Sequence, residues 1–325
     1  MTDTDINLTS PTVVVTGPTR GLGLEACRAI AELSPGAHLV LLGRLGPAMD
    51  AVVSDLCDRV GSVAVVGVDF ADMRQVAAAA RQVREMIDGG TCGTIDGLVL
   101  NAGIQTVDRL QRTVDGLELT FGVNVIAPFL LVRELTDRLA SGASVVLVGS
   151  GTHFTNRSTR LVAHPRWEDP ADLARAAVGP DAPSKVAGQR AYATSKLAVN
   201  HLCHELDRRS GGRWRCNVHD PGLMPGTGLA RDMNGLRRFA WHHVLPHLPI
   251  PGTSTPQRSG AVLADMALGR RFAELRGGYV DIDRVTRASD ESYDTAREAR
   301  LWEVLEMLTH PVRLGTIPDS PVRHD

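Results

Sequence analysis

Residues 12–23 read TVVVTGPTRGLG, and this stretch decides the fold. A run of valines between Thr12 and Thr16 leads directly into a glycine-rich turn, which opens an apolar segment suited to a helix. Glycine allows a sharp turn and a close approach to a ligand, while free N–H groups at a helix N-terminus attract phosphate. The stretch predicts a strand–loop–helix unit that cradles the pyrophosphate of a dinucleotide; a merely structural turn is the alternative. The loop residues are Gly17, Thr19, Arg20, Gly21, Leu22 and Gly23.

The alternation of strand and helix continues along most of the chain. Short runs rich in valine and leucine are typical of strands buried on both faces, and amphipathic segments lie between them. We predict strands at 12–16, 39–42, 63–68, 98–100, 144–148, 215–219 and 278–282, and helices at 22–33, 47–60, 73–87, 116–139, 191–208 and 295–308. Such β-α-β units build an α/β fold, a Rossmann-type doubly wound parallel sheet.

The organisation predicted is one domain with long insertions near the functional site. A polar N-terminal tail at 1–11 and a C-terminal tail at 311–325 flank a domain at 12–310. Two segments interrupt the repeat: 152–189 is polar and contains prolines, and 222–260 is rich in glycine, proline and histidine. Loops of this length in a compact domain are usually functional.

Composition narrows the class of protein. The formal net charge is −2, so a nucleic-acid partner is not expected. The five cysteines are irregularly spaced, which is typical of reduced intracellular thiols. The first eleven residues are polar and lack the order of a signal peptide, and no apolar run approaches the ~20 residues of a membrane span. We expect a cytoplasmic protein without a membrane span.

The end of the second predicted strand indicates which dinucleotide is bound. An enzyme that uses NAD usually places Asp or Glu there, to accept from the ribose 2′-hydroxyl. Here the strand ends with Gly43 and Arg44 and carries no acid. Arg44 and Arg20 together suit a 2′-phosphate, because guanidinium matches phosphate geometry. We therefore expect NADP(H), although two solvated surface arginines would give the same sequence.

Further motifs follow in order along the chain. Asn101-Ala102-Gly103 ends the fourth strand, Asn124 lies in the next helix, and Ser150 follows the fifth strand. Tyr192 and Lys196 lie in YATSK, and Pro221-Gly222 follows the sixth strand. Together with the glycine loop, this set closely resembles the short-chain dehydrogenase/reductase family over residues 12–222.

The spacing of Tyr192 and Lys196 has a chemical reason. Residues four apart share one face of a helix. A phenol has a pKa of about 10, and a neighbouring ammonium lowers it by stabilising the phenolate. Tyr192 can then exchange a proton with a carbonyl or alcohol as hydride moves. The family resemblance implies that Ser150 binds the substrate oxygen, that Lys196 also binds the nicotinamide ribose, and that Asn124 holds a relay water.

The resemblance also assigns the remaining cofactor contacts. Asp69 and Phe70 would flank the adenine, although a helix cap is an equally good role for Asp69. Asn101, Ala102 and Gly103 would line the ribose side. Pro221, Gly222 and Thr227 would meet the nicotinamide amide.

Two strings are similar to the retinol-dehydrogenase and protochlorophyllide-reductase-like branch of the family. They are residues 149–153 and 221–229, and the tail at 288–293 with Trp302 agrees. The branch implies a bulky, largely apolar small-molecule substrate and a ketoreductase type of reaction. The light-driven pigment reduction that occurs in this branch is not expected here. The pigment-reducing enzymes are associated with a cysteine in this region, and the segment 152–189 contains none.

The two long segments are expected to close over that substrate, since both flank the carboxyl ends of the strands. The hypothesised lining is His153, Trp167, Met224, Trp241, His242 and His243. Packing of the loops on each other, or a subunit contact, is the alternative. No metal is expected, because no carboxylate or thiol accompanies His242, His243 and His247 at ligand spacing.

Two other functions remain open. An epimerase, dehydratase or cyclase could use the same Tyr–Lys pair with the cofactor bound but not consumed. A nucleotide-sensing binding protein is the other, although a sensor needs no acid–base tyrosine. The family also implies a possible homo-oligomer through the helices at 116–139 and 191–208.

Overall fold

The computed structural model describes residues 10–155, 163–175, 182–224 and 252–315. Its core is a sheet of eight strands in the order β3-β2-β1-β4-β5-β6-β7-β8. All neighbours are parallel except β7 and β8, which are antiparallel. The strands are β1 (Thr12–Thr16), β2 (His38–Gly43), β3 (Ser62–Gly67), β4 (Ile95–Leu100), β5 (Leu139–Val148), β6 (Arg215–Asp220), β7 (Tyr279–Asp281) and β8 (Arg284–Thr286).

Helices cover both faces of the sheet. They are α1 (Gly21–Leu33), α2 (Pro47–Leu56), α3 (Met73–Asp88), α4 (Leu119–Phe121), α5 (Ala127–Leu135), α6 (Pro170–Arg175), α7 (Lys185–Arg209), α8 (Pro256–Ala267) and α9 (Thr295–Arg313). A π-helical turn (Gly122–Ile126) joins α4 to α5 without a break, and a 3₁₀ turn (Thr136–Arg138) follows α5. The predicted doubly wound α/β fold is confirmed.

The continuous apolar runs of the strands follow from burial on both faces. Along β1, Val14 packs into one hydrophobic core with α3, α5 and α7, whereas Val13 and Val15 pack into a second core with α1, α2 and α8. All three valines are fully buried. Because neither face of the sheet meets water at β1, neither face of that strand needs polar residues.

The predicted strands all lie at the expected places, but several helix ends differ. The helix predicted at 116–139 begins at Leu119, because the Glu118 side chain accepts the amides of Thr120 and Phe121 and so caps it. Leu139 already belongs to β5. The helix predicted at 191–208 begins earlier, at Lys185, with Ser184 as its cap. The C-terminal helix runs to Arg313, past the predicted start of the tail at 311.

Three of the named elements were not predicted from the sequence: strand β8, helix α8 and helix α6, which lies within the predicted insertion at 152–189. Strand β8 is short and fully exposed, so it carries no burial pattern. Helix α8 begins within the segment expected to be a loop, at Pro256 after the cap Thr255. It packs closely on α1: a Cβ on Gly260 would lie 2.8 Å from the Glu25 carbonyl carbon.

One helical stretch, Leu119–Arg138, has the length and hydropathy to cross a bilayer. Its 18-residue window is 78% buried within the protein, where α5 packs against α3. Such a stretch is the central helix of a folded core.

Helix α9 covers α5 and α7 from outside. Its Trp302 contacts Phe129 of α5 edge to face, with ring centroids 5.0 Å apart. The guanidinium of Arg209, at the end of α7, lies 4.2 Å from the same indole ring. The C-terminal helix α9 thus covers part of the surface of α5 and of α7 in the same chain.

Candidate active site

The glycine loop lies between the end of β1 and the start of α1. Gly17 and Gly21 have φ values of +64° and +54°, which side chains rarely adopt. Gly23 is required for a different reason: a Cβ there would lie 2.3 Å from the Gly17 carbonyl oxygen. The Asn101 amide donates to the carbonyl oxygens of Thr16 and Gly17, both at 2.9 Å. The loop is therefore fixed from the neighbouring strand β4.

The N-terminus of α1 is left open for a ligand. Among the residues that the structure describes, no side chain caps this helix, and its first turn carries no acid. By contrast, side chains of Asp72, Ser184, Thr255 and Asp294 cap α3, α7, α8 and α9. A Cβ on Gly21 would meet nothing within 4 Å. Free N–H groups, open space and the exposed Arg20 beside them fit the pyrophosphate of a dinucleotide. Thr19 and Leu22 lie in the same turn.

The residues expected around the adenine end are at the carboxyl ends of β2 and β3. Gly43 ends β2 against the loop: a Cβ there would lie 3.5 Å from Pro18. Arg44 is exposed, and neither it nor Arg20 pairs with a carboxylate in the described ranges. Phe70 is partly buried against the core. Asp69 accepts the Ala71 amide at 3.0 Å and is not a helix cap, since Asp72 caps α3.

Asn124 lies in the π-helical turn and is 3% exposed. Its Oδ1 accepts the Ile104 amide at 2.8 Å, and its Nδ2 donates to the Ile104 carbonyl at 2.9 Å and to Ser195 Oγ at 3.0 Å. These bonds tie the segment after β4 to helix α7. The irregular turn directs the amide towards Gly103, where a Cβ would lie 3.2 Å from Asn124 Oδ1 and 3.8 Å from Lys196 Nζ. Such turns inside helices are frequent at functional sites.

Ser150, Tyr192 and Lys196 meet at the carboxyl end of β5. The Lys196 ammonium donates to the Val148 carbonyl at 2.7 Å and lies 5.6 Å from the centroid of the Tyr192 ring. The Ser150 side chain lies near the Tyr192 hydroxyl and lowers the pKa of Tyr192. It also accepts the Thr152 hydroxyl at 3.2 Å. Lys196 is 5% exposed, whereas Tyr192 is partly open to solvent.

Burial dominates the electrostatics of this pair. It raises the pKa of Tyr192 to about 12; the neighbouring Ser150 side chain opposes the rise, and the negative charge of Asp220 adds to it. Burial lowers the pKa of Lys196 to about 8, and Asp220 opposes that fall. The protein alone therefore presents Tyr192 as a neutral phenol, a proton donor, at neutral pH.

Asp220 and Tyr279 belong to this site and were not identified from the sequence. Asp220 ends β6, and its carboxylate accepts the Tyr279 hydroxyl at 2.6 Å. Burial raises the pKa of Asp220, while Tyr279, the Gly222 amide and Lys196 oppose the rise. The sequence signal was an acid immediately before Pro221-Gly222, at the end of the predicted sixth strand.

His153 does not line a pocket, so that part of the hypothesised lining is wrong. It is 1% exposed, and its Nε2 accepts the Ser289 amide at 3.2 Å. Nδ1 must then carry the proton, which it donates to the Ser150 carbonyl oxygen at 2.7 Å. Burial lowers the pKa of His153 to about 4. This neutral histidine braces the turn that carries Ser150.

The turn after β6 carries the residues expected at the nicotinamide end. Pro221 is buried, and Gly222 has a φ of +73° with a Cβ position only 2.8 Å from Ile282. Leu223 donates its amide to the Gly252 carbonyl at 2.9 Å, so these two residues lie side by side. Thr227, Trp241, His242, His243 and His247 lie outside the described residues.

The remaining proposed lining residues lie in different surroundings. Met224 is 9% exposed and packs with the core that contains α1 and α8. Trp167 packs edge to face on His201 of α7, with centroids 4.6 Å apart. In the described ranges, no three His, Cys, Asp or Glu side chains cluster as a metal site would require.

Comparison with known proteins agrees with this geometry. The family model for short chain dehydrogenases matches residues 11–161. A candidate daunorubicin C-13 ketoreductase of Streptomyces sp. (strain C5), DnrU, is 31% identical over 297 residues, which cover 90% of each chain. Protochlorophyllide reductase B of Oryza sativa subsp. japonica is 27% identical over 91% of this chain and 77% of its own length. This similarity confirms the predicted branch.

Among solved structures, a blue fluorescent protein from a metagenomic library, in complex with NADPH, superimposes with a TM-score of 0.62. It is 25% identical and covers 85% of this chain and 98% of its own. The ketoreductase similarity spans nearly the whole chain, and the glycine loop and the Ser150–Tyr192–Lys196 cluster occupy the expected places. The protein belongs to the short-chain dehydrogenase family.

Proposed function

We propose that the protein is an NADP(H)-dependent oxidoreductase that interconverts a carbonyl and an alcohol on a bulky, largely apolar small molecule, with Tyr192 as the acid and base. The observation that carries this proposal is the convergence of Ser150, Tyr192 and Lys196 at the end of β5, on the same edge of the sheet as the open glycine loop. A binding protein would need the loop but not a buried ammonium beside a phenol.

The choice of NADP(H) is supported by charge at the end of β2. Arg44 follows that strand where an acid would select NAD, and it is exposed and free of carboxylate partners among the described residues. Arg20 lies at the start of α1. The structure from the metagenomic library, which is 25% identical, is a complex with NADPH.

The chain's own residues divide the proton chemistry between them. When bound, NADP(H) supplies or accepts the hydride. The Tyr192 hydroxyl donates its proton to the carbonyl oxygen as the alcohol forms, and takes it back in the reverse reaction. Ser150 donates to the same substrate oxygen and orients it. The Lys196 ammonium stabilises the phenolate that Tyr192 leaves behind. Asn124 holds the segment after β4 in place and lines the route of a relay water.

The substrate class is supported by the relatives. Their names refer to a daunorubicin ketone, protochlorophyllide and, for a Danio rerio relative 27% identical over 89% of this chain, polyprenol. These are large molecules with extensive apolar surface. Val107 and Leu110, which follow the segment that Asn124 holds, are exposed apolar side chains, and Val186 near the start of α7 is exposed as well.

Cofactor binding is the first test. We expect purified protein to bind NADPH at least tenfold more tightly than NADH, as measured by fluorescence titration. Arg44→Ala should abolish most of that preference, because it removes the contact with the 2′-phosphate. Arg81→Ala, an exposed arginine on α3, is the matched control and should bind as the wild type does. Equal affinity for both cofactors, or an unchanged preference in Arg44→Ala, contradicts the NADP(H) assignment.

Turnover is the second test. A panel of aromatic and polycyclic ketones should be reduced with one NADPH consumed per alcohol formed. Product formation without net consumption of NADPH would instead identify an epimerase, dehydratase or cyclase.

A further inference from the structure

A buried carboxylate lies beside the Tyr192–Lys196 pair. Asp220 is 5% exposed at the end of β6. Its Oδ1 accepts the Gly222 amide at 3.0 Å, and its Oδ2 accepts the Tyr279 hydroxyl at 2.6 Å. Tyr279 is 2% exposed on the neighbouring strand β7. Two bonds from rigid backbone and a buried ring therefore hold the carboxylate in one orientation.

The strand register places this carboxylate close to the reacting groups. Val148 of β5 is paired with His219, the residue before Asp220, and the Lys196 ammonium is bound to the Val148 carbonyl. A Cβ on Gly151, the residue after Ser150, would lie 3.2 Å from Asp220 Oδ2. Ser150, Lys196 and Asp220 thus meet at the ends of two adjacent strands.

The charge on Asp220 acts on both catalytic groups. It raises the pKa of Tyr192, after burial has done so, and it counteracts the fall that burial imposes on the pKa of Lys196. Within the described ranges no other carboxylate shifts the pKa of either residue. An anion in this place favours the ammonium and disfavours the phenolate.

The other titratable groups around Asp220 do not supply the same effect. From β7, Tyr279 is a neutral donor to Asp220 and burial holds its pKa well above the usual range. Asp281, also on β7, is exposed; the charge of Asp220 raises the pKa of Asp281, and Asp281 raises the pKa of Tyr279. From the turn after β5, His153 is neutral. From α7 come Tyr192 and Lys196 themselves.

We propose that Asp220, held by Tyr279, is a positioning residue that keeps Lys196 as an ammonium and Tyr192 as a neutral phenol, so that the enzyme rests in its proton-donating form. The inference rests on the role proposed above for Tyr192. It gives the site a built-in bias: reduction of a carbonyl starts from the resting form, whereas oxidation of an alcohol must first remove the Tyr192 proton against the charge on Asp220.

The chain has two lysines, Lys185 and Lys196, which makes the proposal directly measurable. Protein labelled with [13Cε]lysine should give two NMR signals, and Lys196→Arg assigns them. Lys185 is exposed at the start of α7 and is the reference within the same spectrum. In Asp220→Asn the amide Oδ1 can still accept the Gly222 amide, while its Nδ2 can donate to the Tyr279 hydroxyl oxygen. In this variant the Lys196 titration midpoint should fall by on the order of one pH unit. Lys185 should not move.

Tyrosine absorbance gives an independent readout of the other catalytic group. The chain has three tyrosines, so subtraction of the Tyr192→Phe titration isolates Tyr192. With NADP⁺ bound, Asp220→Asn should lower the Tyr192 midpoint, because a neutral amide no longer repels the phenolate. Asp220→Glu should retain the wild-type direction of both effects. Asp281→Asn, the register partner of Asp220, should leave both midpoints unchanged.

Unchanged midpoints of Lys196 and Tyr192 in a folded Asp220→Asn protein overturn the proposal. So does an equal shift in Asp281→Asn, since that would be a general effect of charge. If Asp220→Asn does not fold, the lysine and tyrosine titrations are carried out on Asp220→Ser, which is also neutral at this position. NADPH binding measured on the same samples is independent of these midpoints, so a failure here is distinguishable from a failure of the proposed function.

Discussion

The Lys196 ammonium lies 2.7 Å from the main-chain oxygen of Val148, so a charged side chain ties helix α7 to the carboxyl end of β5. The same contact places the ammonium next to Tyr192 at the cost of burial, which lowers the pKa of Lys196 to about 8. Lys196 thus connects α7 to β5, and its side chain changes from charged to neutral as the pH rises through about 8.

The rate of carbonyl reduction should depend on that charge. We expect kcat/KM to fall as pH rises through about 8, because a neutral Lys196 no longer stabilises the phenolate that Tyr192 leaves. A pH series at saturating NADPH measures it. The step should be absent from the residual activity of Lys196→Met and present in Lys185→Met. A rate that stays level to about pH 10 contradicts this role.

Replacement of the catalytic tyrosine separates chemistry from binding. Tyr192→Phe should lower kcat by roughly 10²–10⁴-fold, because it removes the hydroxyl that donates the proton. NADPH affinity should change little. Steady-state kinetics and fluorescence titration measure the two quantities. Tyr293→Phe, which removes a hydroxyl from the turn before α9, is the control. Full activity in Tyr192→Phe means that the acid is another residue.

The close approach at Gly23 should be essential for cofactor binding. In Gly23→Ala the new methyl group would lie 2.3 Å from the Gly17 oxygen and 2.5 Å from the Asn101 amide nitrogen, so the loop must move. We expect NADPH affinity to fall by about 10–100-fold, as overpacking typically costs about 1–3 kcal/mol. Gly212→Ala, at a φ of +83° with nothing within 4 Å, should keep its affinity. Equal losses in both variants point to global destabilisation instead.

Acid should weaken the fold through three buried histidines. Burial lowers the pKa of His153, His201 and His219 to about 4 each. The unfolded chain, with histidine at about 6.5, binds more protons in this window, so stability decreases as pH falls from about 6.5 towards 4. Urea unfolding at pH 7 and pH 5 measures the loss. His219→Gln should reduce it, and an identical pH dependence in that variant contradicts the assignment.

The C-terminal helix should affect assembly. Helix α9 covers part of α5 and α7, the helices through which a homo-oligomer was expected to form. We therefore predict a monomer of 34.9 kDa, as measured by light scattering after gel filtration. A stable dimer shows that another surface associates.

The local sequence determined the parts of the site that depend on residues close in the chain. The glycine loop was identified because a turn between Thr16 and Leu22 needs glycines and free helix donors, both visible in twelve residues. Tyr192 and Lys196 were paired by one helical turn. The strands were found because burial on both faces leaves continuous apolar runs. A short exposed strand such as β8 has no continuous apolar run, so the sequence does not predict it.

The tertiary structure alone decided what surrounds that pair. Asp220 and Tyr279 are 59 residues apart, and His153 and Ser289 are 136 apart. No periodicity links such positions; they meet because β5, β6 and β7 lie side by side and end at one edge of the sheet. Desolvation, which sets the pKa values of Tyr192, Lys196 and His153, likewise depends on atoms from distant segments. The sequence alone identifies the groups that can react, whereas long-range packing determines their protonation states.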